Sequence, residues 1–570
     1  MSATESTDAK RAPRSRRTAA MDTLLTQNVS GGRATRFARP GPILRTAAGL
    51  ARRPRTTARR VGGLGVELAQ VVAGSSELAP AKGDGRFRDR AWSENWALRR
   101  VLQTYLALGG TVDDLIEDAD LDWRTERQIR FMAENVHDLL SPTNLPLLNP
   151  EVLKETIDRG GANLVLGARR FVRDIAKAPR LPATVDTSKF EIGRNVARTP
   201  GSVVLRTDVM ELLEYAPQTD EVFERPMLVV PPTINKYYVL DLAEDRSFVE
   251  HLVQAGHRVF MISWRNPEKE HSHFDLDTYA AAVIEAREAA SEIAGSDAVN
   301  VLAACSGGII SAATLAHLAA TDRGDLVSSL TLMVCALDHR QAGTTAALVG
   351  REIAAAAVAD SARRGYLDGA SLAGVFAWLR PNDLIWRYVV NNYFLGKAPP
   401  AFDVLFWNQD TVRLSHGLHR DFVQMAMLND LIQPGQRTVL ETPVDLRSVK
   451  QDSYVVAGST DHIVPWENAY RSTQVLGGTP RFVLSTSGHI QALVNPPSPK
   501  SRSSFRVADE HPGDPAEWEA AAAIRTGSWW TDHEAWLAER SGDRVPAPTE
   551  PGSAEHPPTA EAPGDYVRGS

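Results

Sequence analysis

Short apolar runs alternate with longer helical patterns through the middle of the chain. The runs are rich in β-branched residues and are bounded by polar or turn-forming residues, a pattern that predicts strands. They lie at 202–206, 210–215, 227–230, 257–264, 326–336, 451–460 and 481–485. Thr278–Ala294 has the apolar spacing of a helix and lies between two of these runs. Strands that alternate with helices predict an α/β fold with a largely parallel sheet.

The flanking regions follow different patterns. Helical spacing without strand signals runs through residues 84–195, which predicts an all-helical N-terminal domain. The α/β domain is predicted over residues 196–540. Within it, the alternation breaks at about 338–437, where small-residue helices and an aromatic, proline-punctuated run predict a cap inserted over the site. Residues 541–570 are rich in Pro, Glu and Gly, and we expect a disordered tail there.

The first 83 residues are predicted to be a disordered basic tail. Residues 1–60 hold 14 Lys and Arg against 3 Asp and Glu and few aromatic residues, a composition typical of disorder. The alternative is an electrostatic arm for an anionic surface, such as phospholipid on a storage particle or nucleic acid. No apolar segment of signal-peptide type follows the charged start, so a secretory signal is not predicted.

The stretch 300–310 predicts a strand, a tight turn and the start of a helix. A reactive residue at such a corner needs small residues two positions before and after it. Cys305 meets this condition with Ala303 and Gly307, and Ser306 meets it with Ala304 and Gly308. The two registers stay open on this stretch alone, as does a purely structural Cys305 buried as a small hydrophobe.

An acid and a histidine follow two later strands. Asp461 comes after the strand pattern at 451–460, and His489 comes after the one at 481–485. A nucleophile, then an acid, then a histidine, each just past a strand, is the chain order of an α/β-hydrolase triad. Open parallel sheets place their sites at these strand ends. The constellation therefore favours a chemical function over a structural Cys305.

Other signals exclude several classes of protein. His271 and His273 have metal-like spacing but no third ligand nearby, and no phosphate-binding motif follows Gly307 and Gly308, so neither metal nor cofactor is predicted. His339 lies one strand too early for the triad histidine.

With only Cys305 and Cys335, a disulfide framework is excluded and a reducing compartment is expected. The apolar run 299–320 holds Cys, Ser and adjacent glycines at its centre, which favours a buried strand and helix over a transmembrane segment.

Several long strings resemble the polyhydroxyalkanoate synthase family of the α/β-hydrolase superfamily, in particular its single-subunit type with a helical N-terminal domain. The strings that carry the resemblance are Arg86-Phe-Arg-Asp-Arg-Ala-Trp92, Ser141-Pro-Thr-Asn144, Pro231-Pro-Thr-Ile-Asn-Lys-Tyr-Tyr238, Ser263-Trp-Arg-Asn-Pro267, Asp461-His-Ile-Val-Pro-Trp466 and Gly527-Ser-Trp-Trp530. The resemblance covers about residues 84–540.

The resemblance implies roles for individual residues. The family's G-x-C-x-G-G box fixes the register, with Cys305 as nucleophile, Asp461 as acid and His489 as base. Backbone amides of Ser306 and of the loop at Thr233 and Ile234 match the expected oxyanion and substrate-binding groups. The chain departs from the box at Ala303, where the family usually has glycine.

The implied activity is polymerisation of (R)-3-hydroxyacyl-CoA into polyester with release of coenzyme A. The resemblance also implies a cytoplasmic homodimer, paired through the cap region, that works on a growing polyester chain at a storage granule. Two alternatives remain at this point. A thioesterase or polyester depolymerase on the same scaffold is favoured if Ser306 is the nucleophile, and a granule-coating protein without catalysis would keep the fold and the basic tail.

Overall fold

The computed structural model describes residues 40–176, 180–340, 351–369, 371, 374, 377, 378 and 380–569. An N-terminal helical region comes first. Its helices are α1 (Pro40–Arg52), α2 (Pro54–Ala73), α3 (Ala91–Glu94), α4 (Trp96–Asp118), α5 (Trp123–Leu139), α6 (Pro150–Asp158) and α7 (Ala162–Ala176). Phe87, Trp92, Leu102 and Tyr105 form its small buried core.

The prediction of a disordered tail over residues 1–83 was wrong for α1 and α2. Their basic residues pair with acidic residues of the following helices: Arg60 lies 2.7 Å from Asp118 and 2.8 Å from Asp114. Helix α2 packs along α4. Composition suggested disorder because the acidic partners lie more than 50 residues away in sequence. Residues 1–39, including the rest of the basic arm, lie outside the described residues.

In the described residues, seventeen strands follow the helical region, and eleven of them form one sheet. They are β1 (Gly201–Arg206), β2 (Met210–Tyr215), β3 (Glu221–Phe223), β4 (Met227–Val230), β5 (Val259–Trp264), β6 (Val299–Ala304), β7 (Val327–Met333), β8 (Tyr366–Leu367), β9 (Leu414–Ser415), β10 (Thr438–Val439), β11 (Thr442–Pro443), β12 (Asp452–Gly458), β13 (Pro480–Ser485), β14 (Ser504–Val507), β15 (Ala523–Thr526), β16 (Arg544–Pro546) and β17 (Ala560–Glu561).

The large sheet has the order β15-β14-β13-β12-β7-β6-β4-β5-β2-β1-β17. Its centre, from β5 to β13, is parallel, and the strands on either side are antiparallel. All seven strand runs predicted from the pattern are present in it. Successive side chains of β6 lie on opposite faces of the sheet. Val301 and Ala303 belong to the apolar cluster on one face, and Leu302 and Ala304 belong to the cluster on the other. The sheet is therefore covered on both faces, as a parallel sheet requires.

Helices cover the sheet and fill the segment between β7 and β12. They are α8 (Phe248–Gln254), α9 (Leu276–Ala294), α10 (Ser306–Ala320), α11 (Arg351–Arg364), α12 (Asp403–Gln409), α13 (His416–Leu428), α14 (Trp466–Val475), α15 (His489–Leu493), α16 (Pro515–Ala521) and α17 (Trp529–Ala538). No described helix has the length and apolar character that crossing a bilayer demands.

The predicted cap contacts the N-terminal helices. Asn163 of α7 donates to the backbone carbonyl of Phe394 at 2.8 Å. The Tyr393 hydroxyl donates to Asp174 at 3.1 Å, and Asn382 donates to Asp138 at 2.5 Å. Polar groups from several helices thus join the cap to the helical region.

The prediction of a disordered tail over residues 541–570 was also wrong for the described part, which ends at Gly569. Strand β17 pairs with β1 and β16 pairs with β3. The carboxylate of Glu211, fully buried in β2, accepts the backbone amides of Asp565 at 3.0 Å and Tyr566 at 2.9 Å and pairs with Arg206 at 2.7 Å. The side chain of Val567 is 1% exposed. Composition missed this segment because its partners lie more than 300 positions earlier in the sequence.

We expect Glu211→Gln to lower the melting temperature, because the amide loses the ion pair and weakens the bonds to the C-terminal backbone. The expected loss is about 1–3 kcal/mol of unfolding free energy. Thermal unfolding followed by circular dichroism measures the change. Glu561→Gln, at an exposed position of β17, is the matched control, and equal shifts in the two variants would contradict this role of Glu211.

Candidate active site

Cys305 occupies the sharp corner between β6 and α10. Its backbone has φ 50° and ψ −119°, a left-handed conformation that costs energy for any residue except glycine. The corner closes because α10 packs directly on neighbouring backbone. A Cβ at Gly307 would lie 2.4 Å from the Val230 carbonyl oxygen, and one at Gly308 would lie 2.6 Å from the Cys335 sulfur. The partly exposed Cys305 side chain is therefore presented at the strand end.

His489 and Asp461 meet at the same edge of the sheet. His489 begins α15 after β13, and Asp461 follows β12. The His489 Nδ1 lies 2.6 Å from Asp461 Oδ2, and both residues are buried. The other carboxylate oxygen of Asp461 accepts the amides of Ile463 at 2.8 Å and Val464 at 2.9 Å. These amides fix the carboxylate, which in turn fixes the tautomer and orientation of the ring.

The electrostatics of the site favour the protonated form of His489. Burial alone would lower the pKa of its imidazole, but the Asp461 carboxylate and the Cys305 side chain raise the pKa to about 10. The contribution of Cys305 shows that its sulfur lies next to the ring. The structure thus brings together Cys305, His489 and Asp461, three residues separated by up to 184 positions in sequence.

Ser306 lies beside Cys305 but points elsewhere. Its side chain is buried, and its Oγ accepts the Thr233 amide at 2.9 Å and lies 3.1 Å from the Thr233 hydroxyl. The amide of Thr233 is therefore occupied by Ser306. Ile234 follows it on the same loop and is partly exposed. The Ser306 amide is in the first turn of α10, where backbone N–H groups have no intrahelical partner.

Comparison with known proteins shows the family of the chain. Residues 83–252 match the model of the poly-beta-hydroxybutyrate polymerase N-terminus, and residues 226–496 match that of the alpha/beta hydrolase fold. The chain is 42% identical over 526 residues to poly(3-hydroxyalkanoate) polymerase 1 of Ectopseudomonas oleovorans, covering 92% of this chain and 93% of the relative. The chain belongs to the poly(3-hydroxyalkanoate) polymerase family. This is a family of acyltransferases.

A second relative covers a similar share of the sequence. The poly(3-hydroxyalkanoate) polymerase subunit PhaC of Cupriavidus necator is 40% identical over 510 residues, which is 88% of this chain and 86% of the relative. The family, the α/β-hydrolase fold and the acyltransferase class predicted from the sequence are thereby confirmed. The family model of the N-terminus extends past the predicted domain boundary at residue 195 into the sheet.

Ala303, the departure from the family's usual glycine, fits its surroundings. It lies in β6 between Val230 of β4 and Leu332 of β7, and it is fully buried in the core. Its methyl group is part of an apolar core cluster.

A buried ion pair that the sequence analysis missed holds the loop at Thr233. Lys236 Nζ lies 2.8 Å from Asp410 Oδ1, with the lysine side chain 4% exposed. The Tyr238 hydroxyl donates to the other oxygen of Asp410 at 2.7 Å, and the Trp407 indole donates to the Lys236 carbonyl at 2.7 Å. Asp410 directly follows α12 of the cap. Nothing in the surrounding string Asn235-Lys-Tyr-Tyr238 points to a counterion in the cap.

His462 is a second residue that the sequence analysis did not single out. Burial and the guanidinium of Arg380 lower the pKa of its imidazole to about 4, although Asp461 acts in the opposite direction. Its Nδ1 is buried and has no partner within the described chain. The influence of Arg380 places part of the cap close to the triad.

The weaker histidine candidates lie apart from the triad. Burial lowers the pKa of His339, and its backbone amide donates to Asn429 at the end of α13. His271 and His273 lie in a short 3₁₀ helix, where they interact with local residues and with Phe274. Among the described residues, no cluster of three or more His, Cys, Asp or Glu is suited to a metal ion.

We expect the stability conferred by His489 to depend on pH. Because its pKa is raised from about 6.5 in the unfolded chain to about 10 in the fold, the contribution is complete below pH 6.5 and is lost as the pH rises through 10. The melting temperature of the wild type should therefore exceed that of His489→Gln by several degrees at pH 6, and the difference should shrink towards pH 10.

Asp461→Asn is the matched control, since it removes the charge that raises the pKa but keeps a hydrogen-bonding side chain. The pH dependence should flatten in this variant. Melting curves of wild type and His489→Gln that run parallel from pH 6 to pH 10 would contradict the assigned charge state.

Proposed function

We propose that the chain polymerises (R)-3-hydroxyacyl-CoA into polyester through an acyl-enzyme on Cys305, with release of coenzyme A. The observation that carries the proposal is the alignment of the Cys305 sulfur, the His489 ring and the Asp461 carboxylate at one edge of the sheet. Relatives that are up to 42% identical to this chain over almost its whole length are poly(3-hydroxyalkanoate) polymerases, which supports polyester synthesis.

In the first step, His489 takes the proton of the Cys305 thiol. The Asp461 carboxylate stabilises the imidazolium that forms, and the thiolate is the attacking group. The thiolate attacks the thioester carbonyl, and the carbon–sulfur bond to coenzyme A breaks. His489 returns the proton to the departing coenzyme A thiolate. One thioester replaces another at similar energy, so the acyl group stays reactive.

In the second step, a hydroxyl group attacks the acyl-enzyme. His489 is now neutral and accepts the hydroxyl proton as the oxygen attacks, while Asp461 orients and stabilises the ring. The Cys305 sulfur leaves and the ester bond forms. In both steps the amides of Ser306 and Ile234, together with the loop at Thr233, are the proposed donors to the developing oxyanion.

Ser306 is disfavoured as the nucleophile. Its hydroxyl is engaged by Thr233, and the His489 ring interacts with Cys305. The hydrolase alternative that depended on Ser306 loses its main support. The cap residues near the triad, such as Arg380, give a means of excluding water, which a polymerase needs because water would release free hydroxy acid.

We further propose that the chain acts as a homodimer at the surface of a cytoplasmic storage granule. Most of its exposed large apolar residues in the described part of the chain lie in the N-terminal helical region, among them Leu147 at 82% in a turn and Ile157 at 78% in α6. Such apolar surface is suited to a polymer or to a second protein surface. The two free cysteines fit a reducing compartment.

We expect Cys305→Ala to abolish coenzyme A release from (R)-3-hydroxybutyryl-CoA, a loss of at least about 10⁴-fold, because the nucleophile is missing. Ser306→Ala should retain polymerisation with a rate lowered about tenfold, since it removes one hydrogen bond that holds the loop at Thr233. A thiol assay measures coenzyme A, and size-exclusion chromatography measures the mass of the acyl product.

High-mass polyester from wild type and Ser306→Ala, with none from Cys305→Ala, is the expected result. Free hydroxy acid as the wild-type product would make the chain a hydrolase. Polymer that persists in Cys305→Ala and vanishes in Ser306→Ala would overturn the assigned nucleophile. No release from short or longer acyl chains would favour the granule-coating alternative.

A further inference from the structure

A cavity of about 640 Å³ lies between the N-terminal helices and the cap, outside the triad. Three parts of the chain line it: helix α7, the connection at 181–187, and the cap at Ala377, Leu384 and 398–411. Its volume is typical of a small-molecule site. None of the catalytic steps proposed above uses it.

The lining combines cationic and apolar groups. Arg170 and Arg173 of α7 supply two guanidinium groups, and Leu181, Val185 and Pro399 supply apolar surface. Guanidinium groups bind phosphate with two parallel hydrogen bonds, and apolar walls accept a flat heterocycle. The lining therefore fits a ligand that has both a phosphate and an aromatic base.

Arg170 is available to such a ligand. Its Nε is buried and has no hydrogen-bond partner, and no carboxylate lies within ion-pair distance of it, in the part of the chain that the structure describes. Arg173 instead lies 3.4 Å from Asp174. A buried guanidinium nitrogen without an acceptor is costly, and an anionic ligand would supply the acceptor.

The acidic residues that line the cavity already have partners. Asp174 accepts the backbone amide of Ala183 at 3.0 Å and the Tyr393 hydroxyl at 3.1 Å, in addition to Arg173. Asp186 accepts the amide and hydroxyl of Ser188 at 3.1 and 2.7 Å. Their charge is thus partly compensated, and Arg170 remains as the cation without a counterion.

The cavity also adjoins the loop beside the nucleophile. Thr411, at its edge, forms an antiparallel bridge with Asn235. Asn235 is two residues from Thr233, whose amide donates to Ser306, the neighbour of Cys305. The path from Thr411, at the edge of the cavity, to Cys305 consists of one inter-strand spacing and a few residues of chain. The distance between the two residues is therefore at most about 20 Å. The extended pantetheine arm of coenzyme A spans a separation of this order.

We propose that this cavity binds the phosphorylated nucleotide end of the coenzyme A thioester, with Arg170 as a phosphate ligand. The inference rests on the proposed function for its substrate. It assigns the cavity to the part of the substrate that does not react, whereas the triad handles the acyl group. Binding energy from that remote part positions the thioester at Cys305.

The test compares two thioesters with the full-length protein. One is (R)-3-hydroxybutyryl-CoA, and the other is (R)-3-hydroxybutyryl-pantetheine, which lacks the phosphorylated nucleotide. Arg170→Gln should lower kcat/KM for the coenzyme A thioester at least about tenfold, the worth of a charge-assisted hydrogen bond. It should leave kcat/KM for the pantetheine thioester unchanged. Arg169→Gln removes the same charge from an exposed position of α7 outside the cavity and should change neither value.

Two kinetic results would overturn the proposal. An equal loss with both thioesters would make Arg170 a structural residue, and no loss with either would remove it from the substrate site. Arg170→Lys keeps the charge but not the paired donors, so it should lie between wild type and Arg170→Gln. It also serves as the second variant if Arg170→Gln does not fold.

Calorimetry with free coenzyme A separates this inference from the proposed activity. Wild type should bind coenzyme A, and Arg170→Gln should bind it at least about tenfold more weakly, even if neither thioester is turned over. Equal coenzyme A affinity in the two proteins would overturn the inference. Inorganic phosphate is the second probe, and binding as tight as that of coenzyme A would assign the cavity to phosphate alone and overturn its assignment to the nucleotide.

Discussion

The close packing of α10 against the ends of β4 and β7 is the constraint on which the site depends. Gly307 lies against the backbone at Val230 and Pro231, and Gly308 lies against Cys335, at distances where a side chain would not fit. This contact forces the chain to turn sharply at Cys305 and accept a left-handed backbone there. The surrounding sheet supplies the stability that offsets the strain. The exposed sulfur is a consequence of that packing.

The same packing sets the positions of the other site groups. Parallel strands end at one edge, so the loops after β6, β12 and β13 converge there, and the hydrogen bond between Asp461 and His489 joins the last two. The loop after β4 is different, because contacts with α10 and with the cap fix its position. Near the start of this loop, the Thr233 amide donates to Ser306 of α10. Further along it, Lys236 forms an ion pair with Asp410 of the cap. The oxyanion side of the site thus depends on both the sheet and the cap.

Much of this arrangement could be predicted from sequence because it is encoded locally. The core strands carry continuous apolar runs, and the corner at Cys305 carries the small residues that only such a turn demands. Asp461 and His489 were found because each follows a strand. The C-terminal segment was missed because β17 joins the sheet through backbone pairing and through Glu211, more than 340 positions away. Helices α1 and α2 were missed because their Arg residues are neutralised by acidic residues that follow much later.

The remaining gaps in the sequence prediction have the same origin. Lys236 was quoted only as part of a family string, since nothing adjacent to it reveals that its counterion is 174 positions away. The cavity beside Arg170 has no sequence signature, because three separate segments build it. Pairings across long sequence distances are the part of a fold that composition and periodicity leave undetermined.

The ion pair between Lys236 and Asp410 has a consequence for the site. The lysine side chain is 4% exposed and its carboxylate partner 21%, so separating them would cost less than the about 3–5 kcal/mol of a fully buried pair but would still leave a buried ammonium group without its counterion. The pair therefore stabilises the contact between α12 and the loop beside Cys305, and a substitution at Asp410 would act on the site from outside it.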